Sequence, residues 1–345
     1  MKKLFKIALA ALMLVSVTAC SSTTTSDDET SNETETSSKL VVYSPNSEGL
    51  MNAVIPLFEK TYDVDVEVIQ AGTGELMKRI ESEKEDPYAD VMYGGSHAQF
   101  QTSKDLFQDY VSVNDANLPE AYQNDSGFVT AYVLDGSVLI VNTDLIGDIK
   151  IESYEDLLNP ELKGKISFGD PATSSSAFAQ LTNILLAKGG YESEEAWDFV
   201  GKLITQLDGK VSGSSSGVYK SVTDGEMIVG LSYEDPCAQL VRDGASVKLV
   251  YPSEGAVFLP GSAGIVAGAK NLDNAKLFID FIISDEVQNI LGTTLTNRPT
   301  LATVETADYM TPISEINVLT EDMDYVNANK NEIAARYTDL FAELQ

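Results

Sequence analysis

The chain has 345 residues, with 53 acidic side chains against 23 basic ones and a formal net charge of −30. A surplus of this size disfavours nucleic-acid binding, because no patch rich in Lys and Arg is present to neutralise phosphates. Hydrophobic residues make up 43% of the sequence, which is close to the ordinary proportion for a protein with a buried core.

The N-terminal residues have the layout of a secretory signal. Three lysines precede an apolar run over residues 7–17, and that run is too short to cross a bilayer as a helix. The sequence Val-Thr-Ala-Cys follows at 17–20 and matches a lipobox, in which cleavage leaves Cys20 as a lipid-modified N-terminus. We therefore expect a signal peptide over 1–19 and lipidation at Cys20. The alternative is an ordinary signal peptide followed by a chance cysteine.

A polar segment follows Cys20. Residues 21–38 are Ser, Thr, Asp, Glu and Asn without an apolar side chain, so they cannot bury enough surface to offset ordering, and we expect a disordered tether. Through this tether, the lipid would hold the folded part outside the cytoplasm, at the cell surface or in the periplasm. Cys237 is the only other cysteine, so no internal disulfide is expected.

From residue 39 onward, strand-like and helix-like apolar patterns alternate. Leu50, Val54 and Phe58 repeat at helical spacing, whereas residues 64–69 alternate as a strand does. Strands are predicted at 40–43, 64–69, 89–93, 136–142, 165–168, 226–233, 246–251 and 256–267. Helices are predicted at 49–62, 76–83, 177–188, 274–283, 285–291 and 325–344. This alternation predicts an α/β fold with a mainly parallel sheet.

The length of the folded part suits two α/β lobes that are joined more than once. Ligands of such sheets bind beyond the carboxyl ends of the strands, so we expect a hinged cleft. We assign residues 39–135 and 256–310 to lobe 1 and residues 136–255 to lobe 2. Residues 311–345 are expected to form a C-terminal helical segment that packs on the lobes.

Four loops carry small hydroxyl and glycine residues just before a helix. They are residues 44–49, 72–75, 173–177 and 214–217. A helix N-terminus leaves backbone N–H groups unpaired and carries partial positive charge, so such loops can bind phosphate or a similar anion. The alternative for any single loop is helix capping. A cap needs only one hydroxyl, however, and two of the loops carry three serines in succession.

These patterns give a predicted set of solute contacts. The loop residues of the set are Ser44, Asn46, Ser47, Thr73, Gly74, Glu75, Gly95, Ser96, Ser174, Ser175, Ser176, Ser214, Ser215 and Ser216. At the end of a predicted strand, Tyr233, Glu234 and Asp235 could contact the rest of the solute, unless they form a solvated turn before a proline. Asp135, at the expected hinge, and Tyr219 complete the set.

An enzyme is a weaker interpretation. Residues 213–217 match the G-x-S-x-G pattern of hydrolases. A serine nucleophile needs a general base, and the only histidine, His97, precedes the serine, whereas the hydrolase order places it last. The sequence contains no Cys/His cluster, H-E-x-x-H motif, P-loop or dinucleotide fingerprint. We therefore expect a binding protein without a resident metal or cofactor, and keep a secreted serine hydrolase as a distant alternative.

Several segments together resemble a known family, the periplasmic-binding-protein-like II solute-binding proteins of ABC importers. The branch that they resemble binds ferric iron, hexose phosphate or 2-aminoethylphosphonate. The resemblance covers nearly all of residues 39–345, and its carriers are Val42-Tyr43-Ser44-Pro45, Ala71-Gly72-Thr73-Gly74-Glu75-Leu76, Asp90-Val91-Met92-Tyr93-Gly94-Gly95, Gly169-Asp170-Pro171, Ser174-Ser175-Ser176-Ala177-Phe178 and Gly230-Leu231-Ser232-Tyr233-Glu234-Asp235-Pro236.

The resemblance implies a two-lobed type II fold that closes on a small solute and then docks on an ABC permease. Ferric-binding members use adjacent tyrosines in lobe 2, whereas here Glu234 follows Tyr233, and Asn46 stands where those members have a histidine. The expected solute is therefore a small phosphorylated or phosphonate anion. Ferric iron, held by Tyr233, Glu75 and a bound anion, is the alternative. The protein is expected to act as a monomer.

Overall fold

The computed structural model describes residues 38–344. The predicted signal peptide, the lipidation at Cys20 and nearly all of the tether lie outside these residues, so they stay predictions. No helix in the described part is long and apolar enough to cross a membrane.

Ten strands and ten α-helices alternate along the described chain. The strands are β1 (Lys39–Ser44), β2 (Asp65–Gln70), β3 (Val91–Ser96), β4 (Thr130–Asn142), β5 (Ile166–Ser167), β6 (Val229–Tyr233), β7 (Val247–Val250), β8 (Ala256–Ile265), β9 (Arg298–Pro299) and β10 (Val318–Leu319). The helices are α1 (Glu48–Tyr62), α2 (Thr73–Ser82), α3 (His97–Thr102), α4 (Ser175–Ala187), α5 (Glu194–Leu207), α6 (Ser215–Thr223), α7 (Glu234–Arg242), α8 (Leu272–Ile282), α9 (Asp285–Thr293) and α10 (Met323–Leu344). Short 3₁₀ turns lie at Lys104–Leu106, Asp115–Asn117, Glu120–Tyr122, Glu155–Leu158, Pro160–Leu162 and Ile313–Glu315.

The predicted α/β class is confirmed, and most predicted elements lie within a few residues of the observed ones. The predicted mainly parallel sheet is wrong, because β4 runs antiparallel to β6, β7, β8 and β9, and β3 runs antiparallel to β8. The strand predicted at 226–233 begins only at Val229, because the N–H groups of residues 226 and 227 both donate to the Ser221 carbonyl and close a turn. Helices α3, α5, α6 and α7 are not among the predicted elements. The turn considered before Pro236 is wrong, because Glu234 begins α7 and Pro236 lies in its first turn, where no N–H is needed.

The strands are joined in the order β2-β1-β3-β8-β4-β6-β5, and β7 and β9 also pair with β4. β1 runs parallel to β2 and β3, so the carboxyl ends of these three strands meet at one edge. β5 runs parallel to β6, which brings their carboxyl ends together in the same way. Each arrangement places the loops that precede α1, α2, α4 and α7 at the end of a strand.

β4 is common to both halves of the sheet. Its first part pairs antiparallel with β8, from Thr130 opposite Ala263 to Gly136 opposite Phe258. Its second part pairs antiparallel with β6, beginning with Ser137 opposite Tyr233. The change of partner between residues 136 and 137 is the point at which the chain passes from one half to the other.

Separate hydrophobic cores lie on the two sides of this crossing. One core packs α1, α8 and α9 on the first-half strands, with Phe58 and Phe278 at its centre. The other packs α4 and α5 on the second-half strands, and α10 adds Ile333 and Tyr337 to it. Two separate cores joined by the continuous strand β4 are consistent with a hinge at this crossing, and the lobe boundaries themselves stay a prediction.

Candidate functional site

The two serine triplets form the same local structure at the starts of α4 and α6. Ser174 and Ser214 are the N-caps, and each Oγ accepts the backbone N–H three residues further on, at 3.3 Å in α4 and 3.1 Å in α6. The first and third hydroxyls of each triplet lie 3.3 Å apart. Within the described structure the middle hydroxyls, those of Ser175 and Ser215, have no protein partner. Each helix start therefore keeps one free hydroxyl beside its unpaired N–H groups.

The backbone brings the two triplets to the same edge of the sheet. Gly169, just after β5, forms an isolated parallel bridge with Ser212, and the Ser212 N–H donates to the Phe168 carbonyl at 2.8 Å. Ser212 thus extends the sheet beside β5, and α6 begins three residues later. Since both helices begin at this edge, their partial positive charges act on neighbouring space.

In the first half, Asn46 ties three strand ends together. Its Oδ1 accepts the Tyr132 hydroxyl at 2.8 Å, its Nδ2 donates to the Tyr93 carbonyl at 3.0 Å, and its carbonyl accepts from Gln70 at 3.0 Å. Ser44 is fully buried, and its hydroxyl donates to the same Tyr93 carbonyl at 2.6 Å. The predicted solute contact of Ser44 is therefore wrong, because its side chain builds the loop and is closed to solvent.

Two glycines let the first-half loops touch. Gly94 and Gly95 have φ angles of +122° and +117°. A Cβ on Gly95 would lie 2.9 Å from Thr73 Cγ2, and one on Gly94 would lie 2.8 Å from Pro45 Cδ. Only glycine permits this approach, so the loops after β1, β2 and β3 form one surface.

The other predicted first-half residues lie at helix starts. Ser47 caps α1 and is exposed, while Ser96 caps α3 in a capping box with Gln99. Residues 73–75 form the first turn of α2 and not a loop, and the N-cap of α2, Gly72, offers no side chain to its N–H groups. The start of α2 therefore keeps free donors for a ligand.

Two carboxyl groups lie where β4 crosses between the halves. Part of the Asp135 side chain is accessible to solvent, but the protein around it displaces much of the water near its carboxyl group. This desolvation, together with the charges of Asp235 and Glu234, raises the pKa of Asp135 to about 7. Asp235 is half-buried, and its Oδ1 accepts the Thr296 hydroxyl at 2.6 Å. Desolvation also raises the pKa of Asp235 above its usual range. Both side chains can meet a solute at the hinge.

Glu234 has a different role from the one predicted, because its carboxylate is already paired. Its side chain is 1% exposed and that of Arg298 2%, and Arg298 donates to it from Nε at 2.8 Å and from Nη2 at 2.5 Å. The Tyr251 hydroxyl donates to the same carboxylate. Burial alone would lower the pKa of Arg298, but the hydrogen bond and charge of Glu234 raise it. The predicted solute contact of Glu234 is therefore wrong.

This ion pair crosses between the halves. Arg298 lies on β9, which pairs with the first part of β4, whereas Glu234 begins α7 after β6. Arg298 is not among the predicted residues. Its partner lies 64 positions away, and no local pattern marks an arginine for such a contact.

Two tyrosines adjoin the carboxyl groups. Tyr233 and Tyr219 are half-buried, and burial followed by their mutual interaction raises the pKa of Tyr233. Tyr219 lies one turn into α6, after the second serine triplet, and Asp235 is among the groups that raise its pKa. Both rings are therefore close to the hinge carboxylates, and Tyr219 lies on the same helix as the second serine triplet.

A cavity of about 760 Å³ opens beside β8, between α3 and the residues that lead into α10. None of the predicted solute contacts lines it. Its wall carries carboxylates that would repel an anion, namely those of Glu120, Asp125, Glu321, Asp322 and Asp324. The candidate site for an anion is therefore the set of helix starts and not this cavity.

The described residues contain no group of three or more His, Cys, Asp or Glu side chains placed to hold a metal ion. Glu75, the residue proposed for the iron alternative in the first half, is exposed on α2. The single histidine, His97, lies on α3, where it contacts Gln101 at 3.0 Å.

Comparison with known proteins gives a consistent result. A family model described as bacterial extracellular solute-binding protein matches residues 86–329. A relative from Haemophilus influenzae, described as an uncharacterized protein, is 30% identical over 73% of this chain and 75% of its own. A putative 2-aminoethylphosphonate-binding periplasmic protein from Salmonella typhimurium is 24% identical over 73% of this chain and 74% of its own.

Solved structures share the fold. The periplasmic binding protein AfuA from Actinobacillus pleuropneumoniae, with exogenous fructose-6-phosphate bound, aligns with a TM-score of 0.74 and 26% identity over 88% of this chain and 98% of its own. A ferric binding protein from Campylobacter jejuni aligns with a TM-score of 0.74 and 21% identity, over 87% of this chain and 99% of its own, and shows the fold alone. The predicted two-lobed type II fold is thus confirmed. The chain belongs to the bacterial extracellular solute-binding protein family and is a solute-binding protein of the ABC transporter type.

Proposed function

We propose that this protein captures a small phosphorylated or phosphonate solute outside the cytoplasm and delivers it to an ABC permease. The observation that carries the proposal is the pair of serine triplets, which give α4 and α6 the same capped start at one edge of the sheet. A single capping serine would satisfy each helix, so the free hydroxyls of Ser175 and Ser215 are available for a ligand.

These helix starts suit a phosphorus oxyanion. Backbone N–H groups and hydroxyls supply donors, and the helix dipoles supply partial positive charge, without a Lys or Arg in either triplet. The start of α2 adds N–H groups from the first half. Contacts made from both halves favour the closed form, because a ligand shifts the population toward the state in which it has more contacts. The permease would then recognise that closed form.

The similarity to AfuA and to the aminoethylphosphonate-binding relative supports this class of solute. We also propose that the protein acts as a monomer and that a lipid on Cys20 holds it at the membrane. Metabolic labelling with a fatty-acid analogue tests the anchor, because Cys20→Ser would lose the label.

Calorimetric titration with fructose 6-phosphate, 2-aminoethylphosphonate and inorganic phosphate tests the solute class. We expect at least one of them to bind, and the double variant Ser175→Ala/Ser215→Ala to weaken that binding by about tenfold or more, because it removes hydrogen bonds to a charged ligand. Ser82→Ala, at an exposed serine near the end of α2, is the matched control and should bind as the wild type does.

Two results would contradict the proposal. One is that none of the three anions binds at millimolar concentration. The other is a visible tyrosinate absorption with ferric citrate that disappears in Tyr233→Phe, which would favour the iron alternative.

A further inference from the structure

The charges at the crossing of β4 do not balance. Glu234 is neutralised by Arg298 inside the protein. Asp235 accepts only from neutral donors, including the Thr296 hydroxyl at 2.6 Å. The side-chain carboxyl of Asp135 has no hydrogen-bond partner within the described chain. Two carboxylates therefore face the cleft without a cation of their own.

Among residues 38–344, no Lys or Arg forms an ion pair with Asp135 or Asp235. Arg242, the further cation that acts on Asp235, lies at the end of α7 and pairs with Asp243 at 3.1 Å. A carboxylate that is partly removed from water without a counter-ion is costly, and a bound cation would offset that cost.

The unbalanced carboxylates adjoin the proposed oxyanion site. Tyr219 follows Ser215 by one turn of α6, and it lies beside both Tyr233 and Asp235. The two rings thus adjoin the carboxylates, and α6 connects them to the hydroxyl and N–H donors of the second serine triplet. Aromatic faces also attract an organic cation.

We infer that the solute carries a cationic amine as well as its oxyanion, and that Asp135 and Asp235 hold the amine while the serine triplets hold the oxyanion. This inference rests on the proposed function and narrows its solute class to amino-bearing phosphates or phosphonates. A hydroxylated solute without an amine could donate hydrogen bonds here, but it would leave both negative charges uncompensated. A metal ion would need more ligands than these two carboxylates, and no group of three suitable side chains exists among residues 38–344.

The protonation of Asp135 provides a second observable. With its pKa raised to about 7, this carboxyl is partly protonated at neutral pH in the free protein. An ammonium group in contact with it favours the ionised form. Binding of an amine should therefore release a proton from Asp135.

Two matched ligand pairs test the inference at constant pH. The pairs are 2-aminoethylphosphonate with ethylphosphonate, and glucosamine 6-phosphate with glucose 6-phosphate. In whichever pair binds, we expect the amine to improve the affinity of the wild type by at least about tenfold, as for a charged hydrogen bond. Asp135→Asn should lower this ratio, and the double variant Asp135→Asn/Asp235→Asn should bring it to nearly one. Asp148→Asn removes the same charge at an exposed turn residue beyond β4 and should leave the ratio unchanged.

Titration in two buffers of different ionisation enthalpy counts the released protons. The wild type should release more protons than Asp135→Asn at pH 7, and the ionisation of the ligand itself cancels in this difference. If the amine-free ligand of a pair binds as tightly as its amine partner, the inference is overturned while the proposed function stands. If neither pair binds while fructose 6-phosphate or inorganic phosphate does, the inference is overturned and the proposed function stands; if none of these anions binds, both are overturned.

Discussion

The buried pair of Glu234 and Arg298 allows a stability prediction that can be worked from its geometry. Glu234→Gln keeps the shape of the side chain and removes its charge. The change would leave Arg298, 2% exposed, without a counter-ion. Removing one partner of such a pair costs about 3–5 kcal/mol. Even a stable domain has only about 5–15 kcal/mol in total, so the melting temperature should fall by roughly 5–15 °C.

Urea denaturation of four variants checks this magnitude. Arg298→Met alone should also destabilise, and the double variant Glu234→Gln/Arg298→Met should lose less than the sum of the two single losses, by about 1–3 kcal/mol. Glu194→Gln breaks an exposed pair with Arg336 and should cost at most about 1 kcal/mol. A loss below about 1 kcal/mol for Glu234→Gln, equal to that of the exposed control, would refute the reasoning.

Three further predictions concern the hinge and the core. Asp135 has a folded pKa of about 7 against an ordinary value of 3.8, so the native state keeps a proton that the unfolded chain loses, and stability falls as pH rises through this window. The melting temperature of Asp135→Asn minus that of the wild type should therefore increase from pH 4 to pH 8. A difference that stays constant over this range would contradict the reasoning. Burial raises the pKa of the Cys237 thiol to about 12. In a variant whose other cysteine is replaced by serine, a disulfide reagent at pH 8 should therefore label Cys237 only in urea. Rapid labelling of the native protein would contradict the burial of this thiol. A Cβ at Gly136 would overlap the Phe258 ring, so Gly136→Ala should lower the free energy of unfolding, measured in urea, by about 1–3 kcal/mol. The control Gly49→Ala should not destabilise the protein, because its Cβ would meet only one atom within 4 Å.

Strong apolar spacing predicted several of the helices, although α5 is not among them despite its buried face of Trp197, Val200 and Leu203. α1, with Leu50, Val54 and Phe58 on one face, is an example, since its buried residues repeat at helical spacing. α6 has a weaker signal, because its nine residues include serine, glycine and threonine and bury only Val218 and Val222. Its helical start depends on the cap of Ser214 and on packing that no local pattern reveals.

The candidate site could be predicted only in part. Helix starts are local, so the serine triplets could be placed from their composition. The pairing of Glu234 with Arg298 is not local, because it depends on β9 returning beside β4 late in the chain. The burial of Ser44 follows from contacts with Tyr93, 49 positions away. Residue type alone therefore suggested ligand contacts at two positions that the fold uses for its own structure.

The position of β8 has a consequence for the order of folding. β8 lies between β3 and β4 in the sheet, although more than a hundred residues of the chain separate it from each of these two strands. Until residue 265 is available, β3 and the first part of β4 have no strand between them and keep unpaired edges. The first half of the sequence therefore cannot complete its own sheet as it leaves the ribosome. Pairing with a strand so distant in the chain slows folding. An exported chain would therefore have time to reach the membrane before the sheet of its first half is complete.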